Sequence, residues 1–215
     1  MIPYAILVLG VGYLFGCFQT GYFVGKLNKI DIRDYGSGNA GTTNVLRTLG
    51  FPWALLTFLG DAFKGLIWEM IVKYFVAPVV PEANVKILIL VAGLGVVLGH
   101  NYPFQLGFKG GKGIATTTAI MLGFDWRIAL FAMGFFIVVC ALTRYVSLSS
   151  LCLAGSLPIQ CLIYYPGQWG IFILVLLYAV SAFYRHKANI GRLLSGTESK
   201  LGQKVDTGVK NNSNL

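Results

Sequence analysis

The stretch IALFAMGFFIVVCAL, residues 128–142, decides the fold. It lies between Arg127 and Arg144 and contains no charged residue and no proline. A helix over this segment rises ~1.5 Å per residue and approaches the ~30 Å hydrocarbon thickness of a bilayer. Working outward in both directions, the same texture recurs. Apolar runs over 2–25, 52–79 and 87–107 precede it. Beyond residue 114 the apolar character hardly stops, and punctuation must divide it. Asp125, Arg127, the Thr143-Arg144 pair and Pro166-Gly167 mark turns, giving helices over 113–124, 127–143, 148–165 and 168–184.

Composition agrees. Of the 215 residues, 56% are hydrophobic and only 12% charged, about half the charged share of a soluble domain. A soluble fold would need more polar residues to cover its surface; a bilayer removes that need. The expected fold class is therefore an all-α integral membrane protein of about seven transmembrane helices. One domain covers 1–198, and a polar, aperiodic tail expected to be disordered covers 199–215. The fourth segment is too short to span alone. Five spans with two re-entrant segments is the alternative topology. The start, Met1-Ile2-Pro3-Tyr4, lacks the basic region of a cleaved leader, so the first run is expected to be retained.

The net charge of +9 does not mark a nucleic-acid binder, because the basic residues sit in loops between apolar runs. Their placement reports orientation instead. With seven spans, Lys26, Lys29, Arg33, Arg47, Lys109, Lys112, Arg144, Arg185, Lys187, Arg192, Lys200, Lys204 and Lys210 share one side, and only Lys86 and Arg127 the other. Thirteen against two puts the C-terminus in the cytoplasm and the N-terminus outside. Cys17, Cys140, Cys152 and Cys161 lie in apolar runs without a paired spacing, so neither a disulfide framework nor a metal set is expected. Asp61 and Lys64, three apart in the second run, share a helical face and are read as a structural ion pair.

Three polar stretches fall on the expected cytoplasmic side. The first is GSGNAGTTNVLR, residues 36–47. Its small residues let backbone N–H groups face an anion, and Arg47 can grip phosphate bidentately. The second is HNYP, 100–103, followed by FKGGKGIAT, 108–116. Glycines before a helix start can form an anion nest, helped by the positive helix end. It is not a Walker loop: Leu106 stands where the first glycine belongs, and Gly113 where Ser or Thr would hold magnesium. The third is HKANIGRLL, 186–194, then GTE, 196–198; His186, Asn189 and Arg192 recur every three residues on one face.

Together, in this order, the three stretches resemble the motifs of the bacterial acyl-phosphate:glycerol-3-phosphate acyltransferases, the PlsY family. The resemblance spans almost the whole chain to about Ser199, with Lys187-Ala188 departing from the usual pair after the histidine. It implies transfer of a fatty acyl group from acyl phosphate to the 1-hydroxyl of sn-glycerol 3-phosphate. The products are lysophosphatidic acid and phosphate. The reaction would run at the cytoplasmic face of the bacterial inner membrane in a monomer among membrane lipids, without cofactor or metal. The implied substrate-binding residues are Ser37, Gly38, Asn39, Thr43, Asn44, Arg47, Lys109, Gly110, Gly111 and Gly113. Lys112, Ser149 or Ser150, His186 and Asn189 are the implied catalytic residues, with backbone N–H groups around 110–113 serving the oxyanion. Glu198 is assigned a structural role beside a basic residue. The proton acceptor is either His186 or the departing phosphate, the latter preferred.

Other classes fit less well. Gln105 and Gly191 stand five residues after His100 and His186, so the His-x4-Asp dyad of another acyltransferase class is absent. A phosphate or organophosphate transporter is the non-enzyme alternative, but it would need internal repeats and polar groups at mid-membrane depth.

Overall fold

The computed structural model describes residues 1–203, and these form helices and turns with no strand. All seven apolar runs are helical. The first is broken in two, α1 (Ile2–Cys17) and α2 (Thr20–Leu27). The loop motif 36–47 ends in a short helix, α3 (Thr42–Leu49). Then come α4 (Phe51–Ile71), α5 (Val85–Asn101), α6 (Ile114–Phe124), α7 (Trp126–Thr143), α8 (Val146–Tyr164) and α9 (Trp169–Arg185). A last short helix, α10 (Lys187–Leu194), leaves α9 at a bend of 59°.

Among the described residues, four helical stretches are long and apolar enough to cross a membrane: Ile2–Leu27, Val85–Leu106, Trp126–Thr143 and Val146–Tyr164. The bent pair Trp169–Arg185 with Lys187–Leu194 makes a fifth. Helix α4 has the length, 21 residues, but carries Asp61, Lys64 and Glu69, all buried inside the bundle. Burial against protein is what makes such charges tolerable at lipid depth. Helix α6 has 11 residues, ~16 Å of rise, about half a bilayer core. The outward faces carry large bare apolar side chains, with Leu142 81% and Phe75 78% exposed. That is the surface expected of a helix bundle solvated by lipid.

The tightest crossing is between α1 and α5, and glycines make it. A Cβ on Gly12 or Gly16 would run into the backbone of Ala92 or Val96, and one on Gly95 or Gly99 into Leu9 or Tyr13. Two small-x-x-x-small faces thus meet backbone to backbone, as in membrane helix pairs. The core behind them runs through Val8, Leu90, Val96, Ile120, Leu157 and Tyr178. Within it, Tyr178 donates to Leu90 O at 2.7 Å and the Trp68 indole to Val8 O at 3.1 Å.

The break between α1 and α2 frees carbonyls, and the buried charges of α4 take them. Lys64 Nζ donates to Phe18 O at 2.7 Å, Gly16 O at 3.2 Å and Asp61 Oδ1 at 3.2 Å. Asp61 and Lys64 thereby tie the two halves of the broken helix to α4. At the opposite end of the bundle, Asp125 accepts from Arg127 Nη2 at 2.7 Å and from Tyr165 at 2.9 Å. The α6–α7 and α8–α9 turns are joined there.

The start of the polar tail is tied to the bundle. Ser199 O accepts from Arg47, and Leu201 exchanges bonds with Arg144 in both directions. The remainder, 204–215, lies outside the described residues.

Candidate functional site

The site is built around one loop. After α5 the chain turns back, and Gly110 N–H donates to Asn101 O at 3.3 Å while Gly111 N–H donates to His100 O at 3.0 Å. The carbonyls of the same two glycines are taken from the other side. Arg185 places Nη2 on Gly110 O at 2.9 Å and Nε on Gly111 O at 3.0 Å, and Asn39 Nδ2 reaches Gly110 O at 3.2 Å. The glycine pair is clamped on both edges. This corrects one expectation: the N–H groups of Gly110 and Gly111 are spent inside the protein and cannot serve an oxyanion. The next backbone donors are those of Lys112, Gly113 and the first turn of α6, which have no acceptor within their own helix. Gly113 caps α6 with φ of +77°, a left-handed conformation in which glycine is unstrained.

Lys112 is the centre of the arrangement. Its Nζ donates to Asn189 Oδ1 at 2.5 Å. Asn189 Nδ2 donates in turn to Glu198 Oε1 at 2.7 Å, which also accepts from Ser147 at 2.9 Å, and Arg192 Nε meets Glu198 Oε2 at 2.6 Å. Burial alone would raise the Glu198 carboxyl, but the bonds from Asn189, Arg192 and Ser147 outweigh it and hold the group below its usual range. Burial pushes the Lys112 ammonium down to about 8; the Glu198 charge opposes this, and the Arg192, Arg47 and Arg185 charges add to it.

His186, at the junction of α9 and α10, is 2% exposed. Its Nδ1 lies 2.7 Å from Ala182 O. A carbonyl only accepts, so Nδ1 carries the proton. Burial first, then the Lys112 charge, push the ring down to about 4. At neutral pH it is an uncharged imidazole whose Nε2 offers a lone pair.

The motif 36–47 supplies the adjoining wall. Asn44, 2% exposed, staples the loop: Nδ2 donates to Ile32 O and Tyr35 O at 2.9 and 3.0 Å, and Oδ1 accepts from Ser37 N at 2.8 Å. Gly36 and Gly38 take φ of +59° and +69° in the turn. Arg47, on α3, faces the site and holds Ser199 O at 3.1 Å.

These residues line a cavity of about 440 Å³ with two unlike ends. The polar end holds Thr43, Asn44, Arg47, Lys112, His186 and Asn189. The apolar end runs along α7, where Met133, Phe136, Ile137 and Cys140 share one helical face, and opposite it stands Phe58 of α4. A second cavity of about 260 Å³ adjoins on the far side of Lys112 and Asn189, with Arg185, Lys187 and Arg192 on its wall.

Some expected residues lie elsewhere. Lys109 is exposed and lines neither cavity. Gly38 shapes its turn without reaching the cavity. Ser149 is fully buried, donates to Tyr145 O at 2.9 Å and is turned from the cavity. Ser150 lines it, although its hydroxyl donates back to Val146 O at 2.8 Å. The serine wired to the polar centre is Ser147, which the motif reading passed over, as it did the Arg185 clamp; His100 stood in the second motif but was given no role there. A run of serines in a helix does not say which faces inward, but the consecutive basic residues Arg185, His186 and Lys187 at the end of an apolar run could have marked the arginine.

A bundle with lipid-facing walls and one polar, phosphate-suited cleft opening onto an apolar groove defines a membrane-embedded enzyme of lipid chemistry. Comparison with known proteins narrows the class. Residues 6–196 match the family model described as glycerol-3-phosphate acyltransferase. A glycerol-3-phosphate acyltransferase of Alkaliphilus metalliredigens (strain QYMF) is 46% identical over 201 residues, 93% of this chain and 97% of that protein. One from Clostridioides difficile (strain 630) is 44% identical over 202 residues, 94% and 97% of the two chains. The crystal structure of PlsY (YgiH), an integral membrane glycerol 3-phosphate acyltransferase, in its glycerol 3-phosphate form, superposes with a TM-score of 0.82 at 35% identity, covering 92% of this chain and 96% of that one. Its lysophosphatidic acid form gives 0.80 at 34%, covering 93% and 96%. The chain belongs to the glycerol-3-phosphate acyltransferase family.

Proposed function

We propose that this protein transfers a fatty acyl group from acyl phosphate to the 1-hydroxyl of sn-glycerol 3-phosphate, releasing lysophosphatidic acid and phosphate. The observation that carries the reading is Lys112 at the junction of three motif loops, with an apolar groove beginning beside it. Glycerol 3-phosphate places its phosphate among Arg47, Lys112 and the hydroxyls and amides of the 36–47 loop, and its hydroxyls against Asn189 and His186. The acyl chain lies along Met133, Phe136 and Cys140 against Phe58. The carbonyl oxygen, negative in the tetrahedral state, takes the free N–H groups at Lys112, Gly113 and the start of α6.

The substrate hydroxyl oxygen bonds to the acyl carbon, and the bond from that carbon to the phosphate oxygen breaks. The hydroxyl proton moves to the departing phosphate, which leaves as hydrogen phosphate. An imidazole at about 4 is a weaker base than a phosphate whose second pKa is ~6, so the leaving group is the better acceptor. His186 Nε2 then acts by accepting a hydrogen bond from the second, non-reacting hydroxyl of glycerol 3-phosphate, which aims the reacting one at the acyl carbon.

The motif loops and C-terminus lie in the cytoplasm and the N-terminus outside, in the bacterial inner membrane, with seven membrane helices, six of them long and α6 the short member. The thirteen-to-two lysine and arginine asymmetry supports this orientation. The enzyme works as a monomer on membrane lipids.

The test is phosphate release by purified protein in detergent or nanodiscs, given palmitoyl phosphate with and without glycerol 3-phosphate. Release is expected only with both substrates, and palmitoyl-CoA is expected to support little transfer. Comparable rates with both donors, or release that ignores glycerol 3-phosphate, would reject the proposal.

A further inference from the structure

His100 is buried, 3% exposed, and lies between two things. Behind it, Lys64 Nζ sits 2.8 Å from Nδ1, with Asp61 Oδ1 at 3.7 Å. An ammonium only donates, so Nδ1 accepts, and Lys64 is itself pinned by Asp61 and by the carbonyls of Gly16 and Phe18. In front of it, the Nε2 end of the ring abuts Gly111 so closely that a Cβ there would collide with Nε2, Cε1 and Cδ2 together. Gly111 does not adopt a positive φ, so glycine is needed at this position for room and not for backbone freedom. The His100 carbonyl completes the grip by accepting the Gly111 N–H and, from Gln19 Nε2, a second bond at 3.0 Å.

We propose that His100 is a positioning residue for the reaction: braced by the buried Lys64–Asp61 pair, its ring props the Gly111–Lys112 backbone at the cavity wall. The ion pair inside the bundle is thereby connected to the chemistry, beyond its part in closing the α1–α2 break. The inference rests on the acyl-transfer reading above, which the unmodified enzyme tests by itself. Misplacing reacting groups by ~1 Å can cost ~10²-fold in rate, so a loosened prop should show in turnover.

The experiment is a cycle between His100→Asn and Gly111→Ala. Asparagine keeps an acceptor near the Nδ1 position for Lys64 and deletes the ring tip. His100→Asn is expected to stay folded, with kcat down by on the order of 10²-fold and the KM for glycerol 3-phosphate changed by less than about threefold. Gly111→Ala alone drives a methyl into the ring and is expected to lose activity comparably. The pair together fills the vacated space with the new methyl, and kcat should recover to at least tenfold above either single variant; against the ~10⁴-fold loss of two independent effects that is ~10³-fold, about 4 kcal/mol of coupling. Additive losses, or a His100→Asn variant with normal kcat, would overturn the proposal. Should either variant fail to fold, the histidine ¹⁵N spectrum of the unmodified enzyme decides. An unprotonated Nδ1 on His100, hydrogen-bonded to an ammonium, is expected. A protonated Nδ1 would refute the bracing by Lys64.

Discussion

Arg185→Lys separates a loop clamp from a membrane-surface charge. The native guanidinium holds Gly110 O and Gly111 O at 2.9 and 3.0 Å, and its carbon lies 5.0 Å from the centre of the Tyr102 ring. Lysine preserves the charge but has one nitrogen head and no fork, so one carbonyl loses its donor. A hydrogen bond to a charged group contributes ~1.5–3 kcal/mol. If all of that is expressed in the placement of Lys112 and Gly113, kcat/KM falls by about 10- to 150-fold. If it is expressed in folding instead, the thermal midpoint drops and kcat/KM of the folded fraction survives. Phosphate release and thermal unfolding, measured on the same nanodisc preparation, distinguish these. The expected result is the kinetic loss with a small thermal shift. Values of both within error of the unmodified enzyme would show that Arg185 is an orientation charge only, and would remove the clamp from the account of the site.

The Lys112 ammonium at about 8 should titrate in the accessible range: protonated below, neutral above, so kcat/KM falls on the alkaline side with an apparent pKa near 8; a flat profile to pH 9.5 would contradict it. His186 at about 4 should add no limb between pH 5 and 8, and His186→Gln, whose amide oxygen still accepts, should raise the KM for glycerol 3-phosphate while keeping part of kcat; a loss of ~10²–10⁴-fold at saturation would make His186 the base after all. The Asp125 carboxyl is held low chiefly by its bonds from Arg127, so its contribution to stability is present above the unfolded value near 3.9 and lost as pH falls through the lower folded one. Thermal midpoints on acidification below about pH 4 should therefore fall more steeply for the native enzyme than for Asp125→Asn; parallel curves would show that the knot with Tyr165 is not coupled to protonation.

The apolar runs made the helices legible, and in the long apolar half single residues such as Asp125 and Arg144 placed the turns because each sits at a helix end. Orientation toward a partner was less legible. The glycines at 12, 16, 95 and 99 carry a packing instruction, yet only the structure shows that they face one another. At the site, the types of residue were readable and their connections were not. Gly110 and Gly111 are anion-nest residues by pattern, but the returning chain delivers their N–H groups to the carbonyls of Asn101 and His100, 9 and 11 residues back in sequence. Ser147, Ser149 and Ser150 differ only by rotation around α8. Whether a helical hydroxyl reaches outward or bonds back to the preceding turn depends on a rotamer that composition does not encode.

The short sixth helix explains why the polar loop can work next to a lipid tail. Helices α6 and α7 are joined through the single residue Asp125, so they start level at one end of the bundle. Helix α7 has 18 residues, ~27 Å of rise, and α6 has 11, ~16 Å. The Gly113 end of α6 therefore stops ~10 Å short of the Thr143 end of α7. Counting back along α7 by the same ~10 Å reaches Phe136, a residue of the apolar groove. The recess brings the backbone donors of the loop level with the side of the groove rather than its mouth. An acyl carbonyl can meet those donors while its chain runs deeper past Met133, and a water-soluble phosphate can approach from the Arg47 and Lys112 side. A full-length α6 would raise the loop above the groove and separate the two. Inserting a single helical turn into α6 is thus the perturbation that most directly opposes the geometry of acyl transfer.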